Sequence, residues 1–219
     1  MTRPSRSTHR RLGRPRHGDS ASTRAALVAG ARQCFATYGY DATTNKAIAD
    51  AAGVTPGAIY HYFPSKADVY IAVFLELQHR FQVSTEAAIR HHQRLIDRYC
   101  ALLDDAVALN CEDPTMSAFF VASPSEFRKH PELRQRLAET KVPRNDFLSR
   151  LAHDAVDRGE MGRDVNAQAL EDLMNVVLSG LAGFAHLSGD PDRHRSAVEA
   201  LKRFLRGELA SWEASRVAS

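Results

Sequence analysis

The residues best equipped for chemistry in this 219-residue chain are its paired histidines, a few serines and one run of rings. His91-His92, with Glu86 and Asp97 nearby, has the donor types of a metal or acid–base site. Adjacent residues lie about 100° apart on a helix, so the two imidazoles diverge from any single site. There is no HExxH, cysteine-rich zinc spacing, G-x-S-x-G, P-loop or G-x-G-x-x-G. Ser123 and Ser125 flank Pro124 without a recognisable base. The sequence therefore predicts no catalytic residue, metal site or cofactor. The other concentration is "GVTPGAIYHYFPSK", residues 53–66. Tyr60, His61, Tyr62 and Phe63 follow a Gly/Pro turn and precede a second stop at Pro64. That pattern is suited to pressing on a partner surface.

The elements that position these rings read as short helices. Thr44 caps one over Asn45–Ala52, with Ala47, Ile48 and Ala51 apolar, and Gly53 ends it. Thr55 caps the next, with Pro56 at the first helical position. It stops at Phe63-Pro64, and Ser65 caps a fourth helix with Asp68 in the capping-box place. Two short helices joined by a glycine turn make a helix-turn-helix. Small Ala49 suits the crossing, Gly53 the positive φ of the turn, and Ile59 the core side. On a helical wheel Ile59 and Phe63 point inward and Gly57 and His61 outward, with Ala58 and Tyr60 on the flanks. Small residues let the backbone approach base edges, and the rings reach phosphates or thymine methyls. Thr44, Lys46 and Lys66 lie where a phosphate strand would run. Helix-turn-helix pairs also occur in proteins that never meet DNA, so the charge distribution bears on the choice.

The net charge is +3, unevenly placed. Residues 1–20 hold six arginines against Asp19 alone, which leaves −2 on the rest. A basic tail on a mildly acidic body points to a polyanion. Within "RRLGRPRHG", residues 10–18, Arg14-Pro15-Arg16 resembles half of an AT-hook suited to a minor groove. A nonspecific phosphate-binding tail is the competing reading. The start of the chain lacks the apolar stretch of a secretory signal, and no apolar run is long enough to span a membrane. The three cysteines, Cys34, Cys100 and Cys111, fit buried thiols in a reducing cytoplasm.

Residues 23–74 resemble the DNA-binding region of the tetracycline-repressor (TetR) family, through "FATYGYDATT", "IADAAGV" and "GAIYHYFPSK". The resemblance implies an all-α homodimer. Each subunit would have an N-terminal three-helix DNA-binding domain and a larger C-terminal helical domain for ligand binding and dimerisation. It implies DNA contacts at Thr44, Thr55, Gly57, Ala58, Tyr60, His61, Tyr62 and Lys66. Asn45 and Ala47 depart from the residues common in the family. It also implies that a bound ligand moves the fourth helix and spoils the spacing of the recognition helices.

Beyond residue 66 the pattern stays helical. A first helix is expected from Ser20 or Ser22 to Gly39. A long stretch runs from 66 to about 110, with a break expected near Ser84. Helices open at Asp113-Pro114 and His130-Pro131, and Pro143 should kink or break the second of these stretches. An apolar helix covers 166–187, and a last helix is drawn to Trp212. Val177, Leu181, Phe184, Leu201, Phe204 and Leu205 are candidates for a dimer interface, against the plainer reading that they face their own core. Phe81, Tyr99, Met116, Phe119, Phe120, Phe127, Phe147 and Met174 are candidates for a pocket taking a largely apolar ligand.

The expected layout is a basic arm over 1–20, a DNA-binding domain over 21–66 and a ligand and dimerisation domain over 67–219. The expected function is a cytoplasmic, non-enzymatic regulator that binds a palindromic operator on double-stranded DNA and is released by a small effector. A ligand-independent architectural DNA-binding protein is the alternative, and a helical enzyme a more distant one.

Overall fold

The computed structural model describes residues 17–142, 146–162 and 164–208, and these form ten α-helices and no strand. Arg14, Arg16, Pro143 and Trp212 lie outside the described residues. The helices are α1 (His17–Ala42), α2 (Asn45–Ala51), α3 (Ile59–Tyr62), α4 (Lys66–Ile89), α5 (Leu95–Glu112), α6 (Pro114–Lys129), α7 (Pro131–Glu139), α8 (Phe147–Asp157), α9 (Ala167–Ser188) and α10 (Pro191–Leu205).

Local signals account for most boundaries. Thr44, Ser65, Asp113, Asn166 and Asp190 each cap a helix with a side-chain oxygen. Proline occupies the first turn of α6, α7 and α10. The end of α2 is a Schellman motif: Gly53 N donates to Asp50 O, Val54 N donates to Ala49 O, and Gly53 sits at φ +68°.

Four expectations change. α1 is already helical at His17, and its kink at Gly39 (φ 77°, ψ 176°) is followed by a further turn to Ala42. No break occurs at Ser84, because its hydroxyl donates to Asp105 Oδ1 at 2.6 Å and Thr85 donates to Asp105 Oδ2 at 2.9 Å. Both hydroxyls bond across to α5 and do not compete for their own backbone. The interruption comes instead between Ile89 and Leu95. α10 ends at Leu205, where Gly207 and Glu208 N–H groups close on Phe204 and Arg203 carbonyls. Cys34 and Cys100 are buried, but Cys111 is exposed.

Two apolar clusters fill the interior. The first joins Leu27, Phe35, Ile48, Ile59 and Phe63 of the N-terminal helices to Tyr70, Phe119 and Leu133. The second holds Tyr99, Leu102, Leu103, Leu151, Met174 and Val198. The helix-turn-helix thus shares its core with α4, α6 and α7.

Candidate nucleic-acid interface and ligand cavity

α2 packs across α1 where Gly30 has no side chain. A Cβ there would come within 3.0 Å of Ala52 N and 3.2 Å of Ala51 C. Ala49, expected at this crossing, is fully buried. Gly30 is the contact that sequence reading missed, since a glycine inside a helix leaves no apolar signal. On the far side of the turn, Ile59 and Phe63 are buried, as the wheel requires.

The recognition segment is shorter than expected. Regular α-helix covers only Ile59–Tyr62. Before it, Ala58 N donates to Thr55 O and His61 N to Ala58 O, the i→i+3 bonds of a tighter turn. Thr55 therefore opens this turn and does not cap an α-helix.

Of the expected DNA contacts, Thr44, Lys46, Thr55, Gly57, Tyr60 and His61 are exposed. Tyr60 is 61% exposed, and a Cβ on Gly57 would meet nothing within 4 Å. Ala58 and Tyr62 are half-buried, and Tyr62 packs on the first cluster. Thr44 Oγ1 accepts from Ala47 N at 3.1 Å, and Lys46 pairs with Asp50 at 2.9 Å in solvent.

Lys66 has a different task from the phosphate contact expected of it. Its ammonium donates to the carbonyls of Tyr40 (2.7 Å), Thr43 (3.1 Å) and Asp41 (3.3 Å) and lies 4.4 Å over the Tyr40 ring. An ammonium has three donors, and all three are directed at this turn. Lys66 fastens the α1–α2 connection to the start of α4.

The larger helices enclose a cavity of about 440 Å³. Phe81, Met116, Phe120, Phe127 and Phe147 line it as expected. Tyr99, Phe119 and Met174 do not. Phe119 is packed between Phe35 and Tyr70 in the first cluster, and Tyr99 donates to Met174 O at 2.9 Å within the second. Burial pushes the Tyr99 hydroxyl above its ordinary range. Sequence reading missed the polar part of the wall: Gln78, Asn110, Ser117, Glu171, Asn175 and His194. His194 is 4% exposed, and its Nδ1 makes no hydrogen bond. Burial lowers its pKa from the usual 6.5, which favours the neutral ring. A cavity-lining histidine with an unsatisfied ring nitrogen offers a hydrogen-bonding group to a ligand.

The candidate interface residues divide. Val177, Leu181, Leu201 and Leu205 pack on the subunit's own second cluster, and Leu181 also lines the cavity. Phe184 is half-buried beneath Arg193, whereas Phe204 is 66% exposed. The outward stripe of α9 is offset from the expected one. It carries Leu173 (59% exposed), Val176 (69%) and Leu187 (86%), with Gly180 and Gly183 between them.

A third grouping lies where the N-terminal helices meet the rest. His130 Nε2 is 3.2 Å from Asp41 Oδ1 and 3.4 Å from Glu126 Oε2. Sequence reading placed no metal-type cluster, because Asp41 and His130 are far apart in the chain.

Residues 27–73, which contain the helix-turn-helix, match the family model for bacterial regulatory proteins of the tetR family. Over 197 residues the chain is 25% identical to the HTH-type transcriptional regulator UidR of Escherichia coli K12, covering 88% of this chain and 96% of that protein. Residues 27–73 thus carry a TetR-family DNA-binding region. Another relative is the HTH-type transcriptional repressor AcnR of Corynebacterium glutamicum, 26% identical over 159 residues, covering 73% of this chain and 79% of that one. The fold is similar to that of the regulator FadR from Bacillus subtilis, solved in complex with stearoyl-CoA. There the TM-score is 0.70 at 17% identity, over 85% of this chain and 99% of that one.

Proposed function

We propose that this regulator is a homodimeric repressor that grips a palindromic operator and lets go when a small, largely apolar ligand fills the cavity. The observation that carries this reading is the double role of α4 and α6. Phe74, Gln78 and Phe81 of α4 and Met116, Phe120 and Phe127 of α6 line the cavity. The same two helices carry Tyr70 and Phe119, which pack on Phe35 of α1. Lys66 at the head of α4 holds the turn before α2. A ligand that pushes on α4 or α6 therefore pushes on the platform of the helix-turn-helix. Ligand binding favours a conformation whose recognition segments are misplaced, and DNA affinity falls by the coupling factor.

In this reading residues 21–66 contact DNA through Thr44, Lys46, Thr55, Gly57, Tyr60 and His61, with Ala58 and Tyr62 at the margin. Arg14 and Arg16 of the arm extend the contact. Residues 67–219 bind ligand and pair subunits through the exposed stripe of α9 together with Phe184 and Phe204. Pairing spaces two recognition segments about one helical turn of DNA apart. The aromatic walls suit an aliphatic or aromatic body, and His194, Asn110 and Asn175 suit one hydrogen-bonding end. Because FadR is solved with stearoyl-CoA, fatty acids and their thioesters are the first compounds to test. The protein acts as a regulator and not as an enzyme. No described helix is long and apolar enough to cross a membrane, and we place the protein in the cytoplasm with its DNA.

The test is selection of duplex DNA from a random pool by full-length protein, then release of the winning sequence with the compounds above. An enriched palindrome that dissociates on adding one compound is the expected result. No enrichment would overturn the reading. A palindrome that no compound releases would favour a ligand-independent architectural role.

A further inference from the structure

The grouping of Asp41, Glu126 and His130 has the geometry of a metal centre that straddles the DNA-binding helices and the ligand-binding helices. Glu126 and His130 are four residues apart at the end of α6, where His130 N donates to Glu126 O at 2.9 Å. Both side chains therefore lie on one face of the last turn. Asp41 arrives from the last turn of α1, beyond the kink at Gly39. One atom from each of the three lies within 4.8 Å of the others.

Two features separate this grouping from an ordinary ion pair. Glu126 is 9% exposed, yet neither its Oε2 nor His130 Nε2 makes a hydrogen bond. Oxygens stand 3.2 and 3.4 Å from Nε2, so distance is not the obstacle. The ring's N–H axis aims at neither oxygen. Bonds of about 2.0–2.1 Å to one tetrahedral ion set its ligand atoms roughly 3.3–3.4 Å apart, and the two distances here, 3.2 and 3.4 Å, lie within about 0.1 Å of that. The other ring nitrogen, Nδ1, is 3.4 Å from Glu132 Oε1. A carboxylate behind a ligating histidine fixes its orientation and raises its basicity. The Tyr40 ring covers His130 with centroids 4.6 Å apart and closes the apolar side. The Asp41 side chain is 75% exposed, which leaves an approach from solvent and a position for water.

We propose that Asp41, Glu126 and His130 bind a zinc-class divalent cation, with Glu132 as the positioning residue behind His130. Imidazole with two carboxylates suits a borderline transition ion better than calcium or magnesium, which prefer all-oxygen shells. The bound ion ties the end of α1 to the α6–α7 junction, beside the carbonyls that Lys66 holds from α4. If the repressor reading is right, metal occupancy sets how stiffly ligand binding is transmitted to DNA, but the site itself does not depend on that reading.

The experiment is titration of chelator-stripped full-length protein with Co²⁺, monitored by visible absorption and by thermal melting, with Zn²⁺ in competition. Expected is one site per chain whose absorption Zn²⁺ abolishes and whose occupancy raises the melting temperature. Asp41→Asn and His130→Gln should each weaken binding by at least tenfold, and Glu132→Gln by about tenfold. Replacing exposed His91 and His92 by alanine should leave it unchanged. Asp41 is the decisive position, because its exposed side chain is replaced without touching the core. Absence of one-to-one binding, or equal affinity in wild type and Asp41→Asn, would overturn the proposal. Neither readout involves DNA, so failure here and failure of the operator selection are separate results.

Discussion

Lys46 and Lys66 stand twenty residues apart, both charged and both at the first turn of a helix, and the fold gives them opposite tasks. Lys46 is held only by an exposed i,i+4 pair with Asp50, which contributes little to stability. It is free to turn to a phosphate. Lys46→Ala should reduce the salt dependence of operator binding by about one phosphate contact and change stability by less than about 0.5 kcal/mol. Lys66 is bound to three carbonyls, so Lys66→Met should lower the unfolding free energy by about 1–3 kcal/mol while the salt slope stays put. Urea unfolding alongside binding at several salt concentrations checks both. His194 offers a pH test. Its folded pKa lies below the ordinary 6.5, so the unfolded chain takes up the proton first as pH falls. Its contribution is complete above the unfolded value and is lost as pH drops through the folded one. Wild type should therefore lose stability relative to His194→Gln between about pH 7 and pH 5, read from unfolding midpoints across that range.

Among the elements, the α1–α2 crossing and the short α3 define the proposed DNA-facing surface. α3 has a single regular turn, so its direction comes from what lies beneath it, chiefly Ile59 and Phe63. Phe63 also carries the Arg24 guanidinium 5.0 Å above its ring. α2 in turn is seated on α1 through the gap at Gly30. Gly30→Ala gains helix propensity but places a methyl 3.0 Å from the Ala52 amide. Backbone must move, and overpacking of this kind costs about 1–3 kcal/mol. Operator affinity should fall with it, because the turn carrying α3 comes directly after α2. Thermal melting and a binding titration on the same variant check this. Unchanged values would mean that α2 has room the structure does not show.

For the whole molecule, the proposed dimer turns on the outward side of α9. Leu173, Val176 and Leu187 are exposed on one side of α9, with two glycines that allow close approach. Phe204 extends the apolar surface from α10. A charge placed in that stripe should separate the subunits without disturbing the core. Val176→Glu is expected to sediment as a monomer with an unaltered melting curve at low concentration. Its affinity for a full palindrome should drop by a factor on the order of 100, the loss expected when two linked half-sites become independent. A dimer with wild-type affinity would move the interface elsewhere.

Read alone, the sequence determined the local events. Thr44, Ser65, the Asp-Pro and His-Pro openings and Gly53 specify where helices start and stop, because caps and positive-φ turns are settled within four or five residues. The same reach made the helix-turn-helix legible, along with the inward Ile59 and Phe63, the outward Gly57 and His61, and Tyr60 on the flank. Features that depend on distant partners needed the tertiary structure. Ser84 continues its helix because Asp105 takes its hydroxyl. Leu95 starts α5 without a cap of its own because Glu160 accepts its N–H at 2.7 Å. Periodicity marked Phe119 and Phe120 alike as apolar, yet one fills the core and the other the cavity, since a helix's apolar arc does not say which neighbour it meets. For the same reason periodicity did not show that Leu173 and Val176 are left exposed on α9 while Val177 and Leu181 pack on the second cluster. Asp41 lies 85 residues before Glu126 in the chain, and only the packing of α6 against α1 brings its carboxylate to His130.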